Sequence, residues 1–375
     1  MVSPELFIKT LEANGVDFFA GVPDSLLKNV CAYITDHFPK ENNIISANEG
    51  AAVGVAAGHY LATGKIPMVY MQNSGLGNTV NPLLSLADEK VYSIPMLLMI
   101  GWRGEPGVHD EPQHIKQGEV TLPLLDTMGI PYQILPEDET AAASAVGTIV
   151  DDCRNTGKPH AIVIRKGTFG SYKLKNKASN TYPLCREEAM KIVASRLPKD
   201  AIIVSTTGKL SRELYEYRDE MDAPHESDFL TVGSMGHSSS IALGIALAKP
   251  NRKVFCFDGD GAFIMHMGAL TNIGNLAPAN YIHVLFNNGA HESVGGQPTL
   301  GFNIDVEAIA KACGYTHAIS VETEDEITSA ISDAISNQGP SLIEIKVSIN
   351  SREDLGRPKT TPIENKEAFM KFIEK

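Results

Sequence analysis

Long apolar runs are missing from this chain of 375 residues, and aromatic residues are few, 7% of the total with Trp102 the single tryptophan. The longest apolar run, residues 94–100, falls far short of the ~18 or more residues that span a bilayer, so it reads as a buried strand and no membrane partner is expected. Positive charge is also scarce. With 32 Lys+Arg against 45 Asp+Glu the net charge is −13, which argues against nucleic acid, because affinity for a polyphosphate backbone comes from clustered Lys and Arg. The five cysteines, Cys31, Cys153, Cys185, Cys256 and Cys313, form no C-x-x-C pair. They read as buried thiols of a reducing, cytoplasmic protein and not as a disulfide framework or zinc site. Charged Glu5, Lys9, Glu12 and Asp17 argue against a signal peptide at the N-terminus. What remains is ordinary globular composition, 43% hydrophobic and 21% charged, and a length that suits two or three domains at ~100–200 residues each.

Apolar strands alternate with helical patterns along the chain, which predicts an α/β fold with parallel sheets. In the first half the pattern predicts a helix over 3–14, strands over 17–21, 44–47, 68–72, 95–100 and 161–164, and a small-residue helix over 50–63. Residues 171–183 are polar and poor in large apolar side chains, and are expected to link two domains, 1–170 and 184–375. Beyond the linker the pattern resumes with a helix over 186–197 and strands over 201–205, 254–258, 282–286 and 342–347. Each half is a doubly wound parallel-sheet domain with residues enough for its own core.

The sharpest local signal is Gly259-Asp260-Gly261 after one apolar strand, answered by Asn287-Asn288 after the next. A helix of about fifteen residues from Ala262 runs out ~22 Å, and a strand returns ~20 Å. Asn288 is thereby expected at the same carboxyl edge as Asp260, where α/β sheets bind ligands. An Asp, an amide oxygen and a backbone carbonyl suit Mg²⁺, which takes hard oxygen ligands, and flanking glycines let backbone N–H groups approach a phosphate at a helix start. A dinucleotide fingerprint is not matched, since Gly75-Leu76-Gly77 lacks the third glycine.

With this spacing Gly259-Asp260-Gly261 and Asn287-Asn288 resemble the signature of the thiamine diphosphate-dependent enzymes. Asn48-Glu49-Gly50 resembles that family's conserved glutamate segment, Ser74-Gly75-Leu76-Gly77-Asn78-Thr79-Val80-Asn81 its Ser-Gly-x-Gly-x-x-Asn turn, and Gly233-Ser234-Met235-Gly236 the opening of its diphosphate domain. Larger decarboxylases of the family carry a central third domain, where this chain has only the linker. That absence, with Gly21-Val22-Pro23-Asp24-Ser25 and the segment from Arg352 to Pro358, is most similar to the phosphonopyruvate decarboxylases, with the sulfopyruvate decarboxylases close by.

The resemblance implies a pyrimidine domain and a diphosphate domain that hold thiamine diphosphate and Mg²⁺. It implies decarboxylation of a small phosphonate 2-oxo acid, 3-phosphonopyruvate, in phosphonate biosynthesis. A sulfopyruvate decarboxylase, or another 2-oxo acid decarboxylase or carboligase, is the alternative. By resemblance Glu49 bonds the pyrimidine and drives deprotonation of the coenzyme. Asp260, Asn288 and the Ala290 carbonyl hold the metal, and Thr207, Gly208, Gly261 and Ala262 the diphosphate. Met235 wedges the coenzyme bent, although it also reads as a core methionine, and Gly236 and His237 line the pocket. Asp24 is the active-site aspartate of the first domain. His109 is a candidate proton donor, and Ser25, Arg103, Arg352 and Arg357 are candidates for the phosphonate, because a chain of net −13 must bind an anion through local cations. The family shares its sites between subunits, so a homodimer or larger assembly is expected.

Overall fold

The structure is a computed structural model and describes residues 1–374. The chain divides into two compact units, Met1–Lys177 with His291–Gln297, and Ala178–Ala290 with Pro298–Lys375. The first contains strands β1 (Phe19–Gly21), β2 (Asn43–Ile45), β3 (Met68–Gln72), β4 (Leu97–Gly101), β5 (Tyr132–Ile134) and β6 (His160–Ile164), ordered β2-β1-β3-β4-β6-β5. In the second, β7 (Ile202–Ser205), β8 (Asp228–Leu230), β9 (Val254–Gly259), β10 (Tyr281–Asn287), β11 (His317–Val321) and β12 (Ser341–Lys346) are ordered β11-β12-β10-β9-β7-β8. Every pairing between these strands is parallel, giving the two α/β sheets that the alternating pattern predicts.

Central strands are buried on both faces, which is why they read as continuous apolar runs. Successive side chains point to opposite faces: Met68, Tyr70, Leu97 and Met99 join one core layer of the first unit, and Val69, Met71, Leu98 and Ile100 the other. Among the described residues no helix is long and apolar enough to cross a membrane. All five thiols are unpaired, with Cys31, Cys153 and Cys256 buried. Cys256 lies in a buried polar group with Asp258 and His283, where His283 bonds Asp258 and Tyr315.

Three strands escape the sequence reading: β5, β8 and β11. All are sheet-edge strands, and β5 and β11 are only partly buried, so their sequences show no long apolar run. The single helix expected from Ala262 is instead two, Asp260–Met265 and Ala269–Leu276. Helical geometry is lost at His266, the C-cap (φ −130°), close to Gly268, a poor helix former. The turn expected at 74–78 is also helical, a 3₁₀ turn Asn73–Gly75 running into helix Leu76–Pro82. Residues 171–183 contain no helix or strand. They are nonetheless held: Asp36 accepts from Tyr172 Oη and from the N–H groups of Lys175 and Asn176.

Candidate active site

In each sheet the strand order reverses at one place, and ligands of open α/β sheets bind outside the carboxyl ends of the strands at that crevice. In the second unit the reversal lies between β7 and β9. β7 ends in the turn Thr206-Thr207-Gly208, with Gly208 at φ +108°, and β9 ends in Gly259-Asp260. The neighbouring β10 ends at Asn287, just before Asn288, so Asp260 and Asn288 reach one edge, as the spacing argument expected, with Thr207 and Gly208 just beyond the end of β7.

Asp260 is 5% exposed. Burial raises its carboxyl to about 6, against the pull of the Thr299 hydroxyl, nearby backbone N–H groups and the Arg186 charge. Thr299 donates its hydroxyl to Oδ2 and its N–H to the Gly289 carbonyl at 2.9 Å. A Cβ on Gly301 would sit 2.9 Å from the same carboxylate oxygen, so glycine lets that backbone lie against Asp260. Asn288 Oδ1 accepts the Ala290 N–H at 3.0 Å, and Ala290 bridges to Pro298. Asn180 donates to the Asn288 carbonyl at 3.1 Å. Asp260, Asn288 and the Ala290 carbonyl offer only oxygen ligands, and the raised carboxyl would be relieved by a hard divalent cation. The residues present fit such an ion.

Gly236 (φ +84°) carries the next segment against this edge, since a Cβ there would lie 3.0 Å from the Ala262 carbonyl and 2.6 Å from the His266 ring. Met235 is half-buried beside it. His237 is exposed, bonds Ser234, and has its ring 4.3 Å from that of His266. Gly261 and Ala262 open the helix Asp260–Met265.

In the first unit Glu49 starts the helix Glu49–Thr63, whose N-cap Asn48 accepts the Ala51 N–H. Glu49 is 5% exposed and accepts the Asn78 side-chain amide at 2.7 Å. Gly75 lies so close that a Cβ there would overlap the Glu49 carboxylate, which explains a glycine in the Ser74–Asn78 segment.

The first sheet reverses between β1 and β3. After β1, Asp24 is 1% exposed. Burial raises its carboxyl above the ordinary range, opposed by its bonds to Gln72 and Leu26; Gln72 Nε2 donates at 2.5 Å and the Leu26 N–H at 2.9 Å. Arg103, just beyond β4, donates through Nη1 to Ser25 Oγ at 2.7 Å and through Nε to Asp110 at 2.7 Å. His109 is exposed and has no hydrogen-bond partner among the described residues. His114, on helix Pro112–Thr127, is the sheltered histidine, with Nδ1 2.9 Å from Asp110. The sequence reading passed over it; the i, i+4 spacing from Asp110 was the available signal.

Arg352 and Arg357 follow β12, the last strand of the second unit. Arg352 is held by Glu187, Glu216 and Asp354, and Arg357 is exposed. Three of the five N–H donors of Arg352 are thus given to carboxylates, which already balance its charge.

Comparison with known proteins adds to this geometry. Residues 1–128 match the family described as thiamine pyrophosphate enzyme, N-terminal TPP binding domain, and residues 206–345 match its C-terminal TPP binding domain. A phosphonopyruvate decarboxylase of Streptomyces viridochromogenes is 34% identical over 397 residues, covering 100% of this chain and 95% of the relative. One from Streptomyces hygroscopicus is also 34% identical, covering 99% and 94%. A sulfopyruvate decarboxylase of Methanosarcina acetivorans is 31% identical over 355 residues, covering 88% and 87%.

Proposed function

The chain belongs to the thiamine pyrophosphate enzyme family, in the branch of the phosphonopyruvate and sulfopyruvate decarboxylases, and on that premise we propose that it decarboxylates 3-phosphonopyruvate to phosphonoacetaldehyde and CO₂ with thiamine diphosphate and Mg²⁺, as a step of phosphonate biosynthesis. Bound thiamine diphosphate supplies the nucleophile and electron sink that loss of CO₂ from a 2-oxo acid needs. The observation that carries the reading is the oxygen donor set of Asp260, Asn288 and the Ala290 carbonyl at the carboxyl edge of the second sheet, where the N–H groups of Thr207, Gly208, Gly261 and Ala262 would hold the diphosphate.

The chain's own groups take these parts. Asp260, Asn288 and the Ala290 carbonyl hold Mg²⁺, and Met235, Gly236 and His237 line the coenzyme. Glu49, bonded by Asn78, exchanges the proton at the pyrimidine. Burial raises the Asp24 carboxyl above the ordinary range, and the group can give or take a proton at the substrate crevice. We assign proton transfer to His114, which Asp110 shelters, in preference to the exposed His109. Ser25 and Arg103 meet the phosphonate end, Arg103 through the donors that Asp110 does not use.

A second copy of the chain completes the site in this reading. Helix Glu49–Thr63 exposes Ala51, Gly54, Val55, Gly58 and Leu61 along one face, and a Cβ on Gly54 or Gly58 would touch nothing. Glycine inside a helix costs ~1 kcal/mol relative to alanine, and packing within the chain gives no reason for either. Gly244 on helix Ser238–Ala248 is alike. A helix apolar all round is normally covered, and a second copy covering this face would also shelter Glu49.

The test is a product assay by ³¹P NMR and CO₂ release, with phosphonopyruvate, sulfopyruvate and pyruvate offered in parallel. Preference for phosphonopyruvate by kcat/KM supports the reading. Preference for sulfopyruvate moves the assignment to the sulfonate branch, and no turnover of any 2-oxo acid rejects it.

A further inference from the structure

Beyond Arg103, Asp110 gathers most of the polar contacts in its loop. Its Oδ1 accepts from Arg103 Nη2 at 2.5 Å, from the Glu111 N–H at 2.8 Å and faces His114 Nδ1 at 2.9 Å. Its Oδ2 accepts from Arg103 Nε at 2.7 Å and from the Gly104 N–H at 2.9 Å. The side chains of Arg103, Asp110 and His114 are 18%, 13% and 12% exposed, so this is a sheltered cluster and not a solvated ion pair. Its frame is stiff. Gly104 (φ +68°) and Gly118 bring backbone against backbone, where a Cβ on either would overlap the chain opposite, and Trp102 Nε1 donates to the Gly118 carbonyl at 2.9 Å.

A carboxylate can only accept, so the imidazole nitrogen that faces it must carry a proton. His114 Nδ1 is therefore the protonated nitrogen. Its Nε2, which has no hydrogen-bond partner among the described residues, is left to give or receive a proton. The same carboxylate grips Arg103 through Nε and Nη2, which turns Nη1 to Ser25 Oγ at 2.7 Å. Ser25 Oγ lies in turn 3.4 Å from Asp24 Oδ1.

We propose that Asp110 is the positioning residue of the substrate crevice: one carboxylate fixes the tautomer of His114 and the orientation of Arg103, and so couples proton transfer to recognition of the substrate anion. The proposal rests on the decarboxylase reading for its kinetic consequence, and not for its geometry. Asp110 touches no substrate in this scheme and acts only through its two partners. A carboxylate that orients a partner imidazole is worth roughly ten- to a hundredfold where the imidazole binds a metal, and up to ~10⁴ where it moves a proton in a catalytic triad.

The test uses the full chain with thiamine diphosphate and Mg²⁺, comparing wild type, Asp110→Asn and Asp110→Glu. In ¹⁵N-histidine NMR of the neutral imidazole, wild-type His114 is expected as the Nδ1-protonated tautomer, assigned by loss of its signal in His114→Gln. Asp110→Asn should shift it toward the Nε2-protonated form. In kinetics Asp110→Asn should lower kcat roughly ten- to a hundredfold and raise KM, whereas His114→Gln should lower kcat alone and Arg103→Lys raise KM alone. Asp110→Glu, which keeps the acceptor-only carboxylate, should restore part of both and serves if the Asn variant folds poorly. An unchanged tautomer in Asp110→Asn, or a wild-type His114 protonated on Nε2, overturns the proposal. If wild type turns over no 2-oxo acid, the decarboxylase reading fails instead, and the tautomer measurement still decides the geometry.

Discussion

Glu344 on β12 accepts the side-chain amide of Asn287, the last residue of β10, at 2.7 Å. Glu344 is 3% and Asn287 0% exposed, and Ser320 donates to the other carboxylate oxygen. Asn287 also donates to the Gly301 carbonyl at 2.9 Å and accepts the Gly289 N–H at 3.1 Å. A carboxylate one strand away thus sets the backbone of the loop that presents Asn288 and Ala290. Removing it leaves a buried amide without its acceptor, at ~1–3 kcal/mol. Glu344→Ala should weaken Mn²⁺ binding about tenfold in the presence of thiamine diphosphate, read by electron paramagnetic resonance, and Glu344→Gln should stay near wild type. Equal affinity in all three would show that Asn287 needs no support.

Gly75 touches Glu49 so closely that no side chain fits between them. Its backbone is right-handed (φ −75°, ψ −13°), so Gly75→Ala carries a steric penalty and not a conformational one. Overpacking of this kind costs ~1–3 kcal/mol. The expected outcome is a lower Tm with kcat reduced tenfold or more, and wild-type kcat would show that Glu49 can move without harm.

Burial alone would raise the Asp110 carboxyl, yet the Arg103 and His114 side chains and the Gly104 N–H outweigh it and hold the group well below the ordinary carboxylate range. A depressed carboxyl contributes stability that is present above its unfolded value of ~3.9 and is lost as pH falls toward the folded one. The Tm difference between wild type and Asp110→Asn should therefore be constant from about pH 7 to pH 5 and shrink below about pH 4. A difference that grows on acidification would contradict the ion pair.

If copies share sites, Glu49→Gln and Asp260→Asn should each be nearly inactive alone. Dissociating and reassembling the two together at equal amounts should restore about a quarter of wild-type activity, since half of the random dimers are mixed and each has one intact site. No recovery in assembled mixtures would place each site within one chain.

The parts legible in the sequence are those that chemistry marks. Asp260 and Asn288 reach one edge because helix and strand lengths nearly cancel, and that argument survives even though the helix breaks at His266. The central strands announce themselves because both faces are buried, while β5, β8 and β11 lie at sheet edges and do not. His109 is legible in the sequence as a loop histidine, whereas the shelter that Asp110 gives His114 exists only in three dimensions. Glu187 and Glu216, which hold Arg352, are more than a hundred residues distant along the chain, so that contact is not legible in the sequence. Thr299, Gly301 and Glu344 carry no motif; only the folded loop shows them bearing on Asp260 and Asn287.

Isothermal titration calorimetry of the purified full chain with thiamine diphosphate, run with Mg²⁺ and again with EDTA, examines the central claim most directly. Saturable uptake near one coenzyme per chain with the metal, lost on chelation and in Asp260→Asn, is the predicted result. Absence of uptake with Mg²⁺ present, or uptake indifferent to both chelation and the Asp260 substitution, would contradict the account.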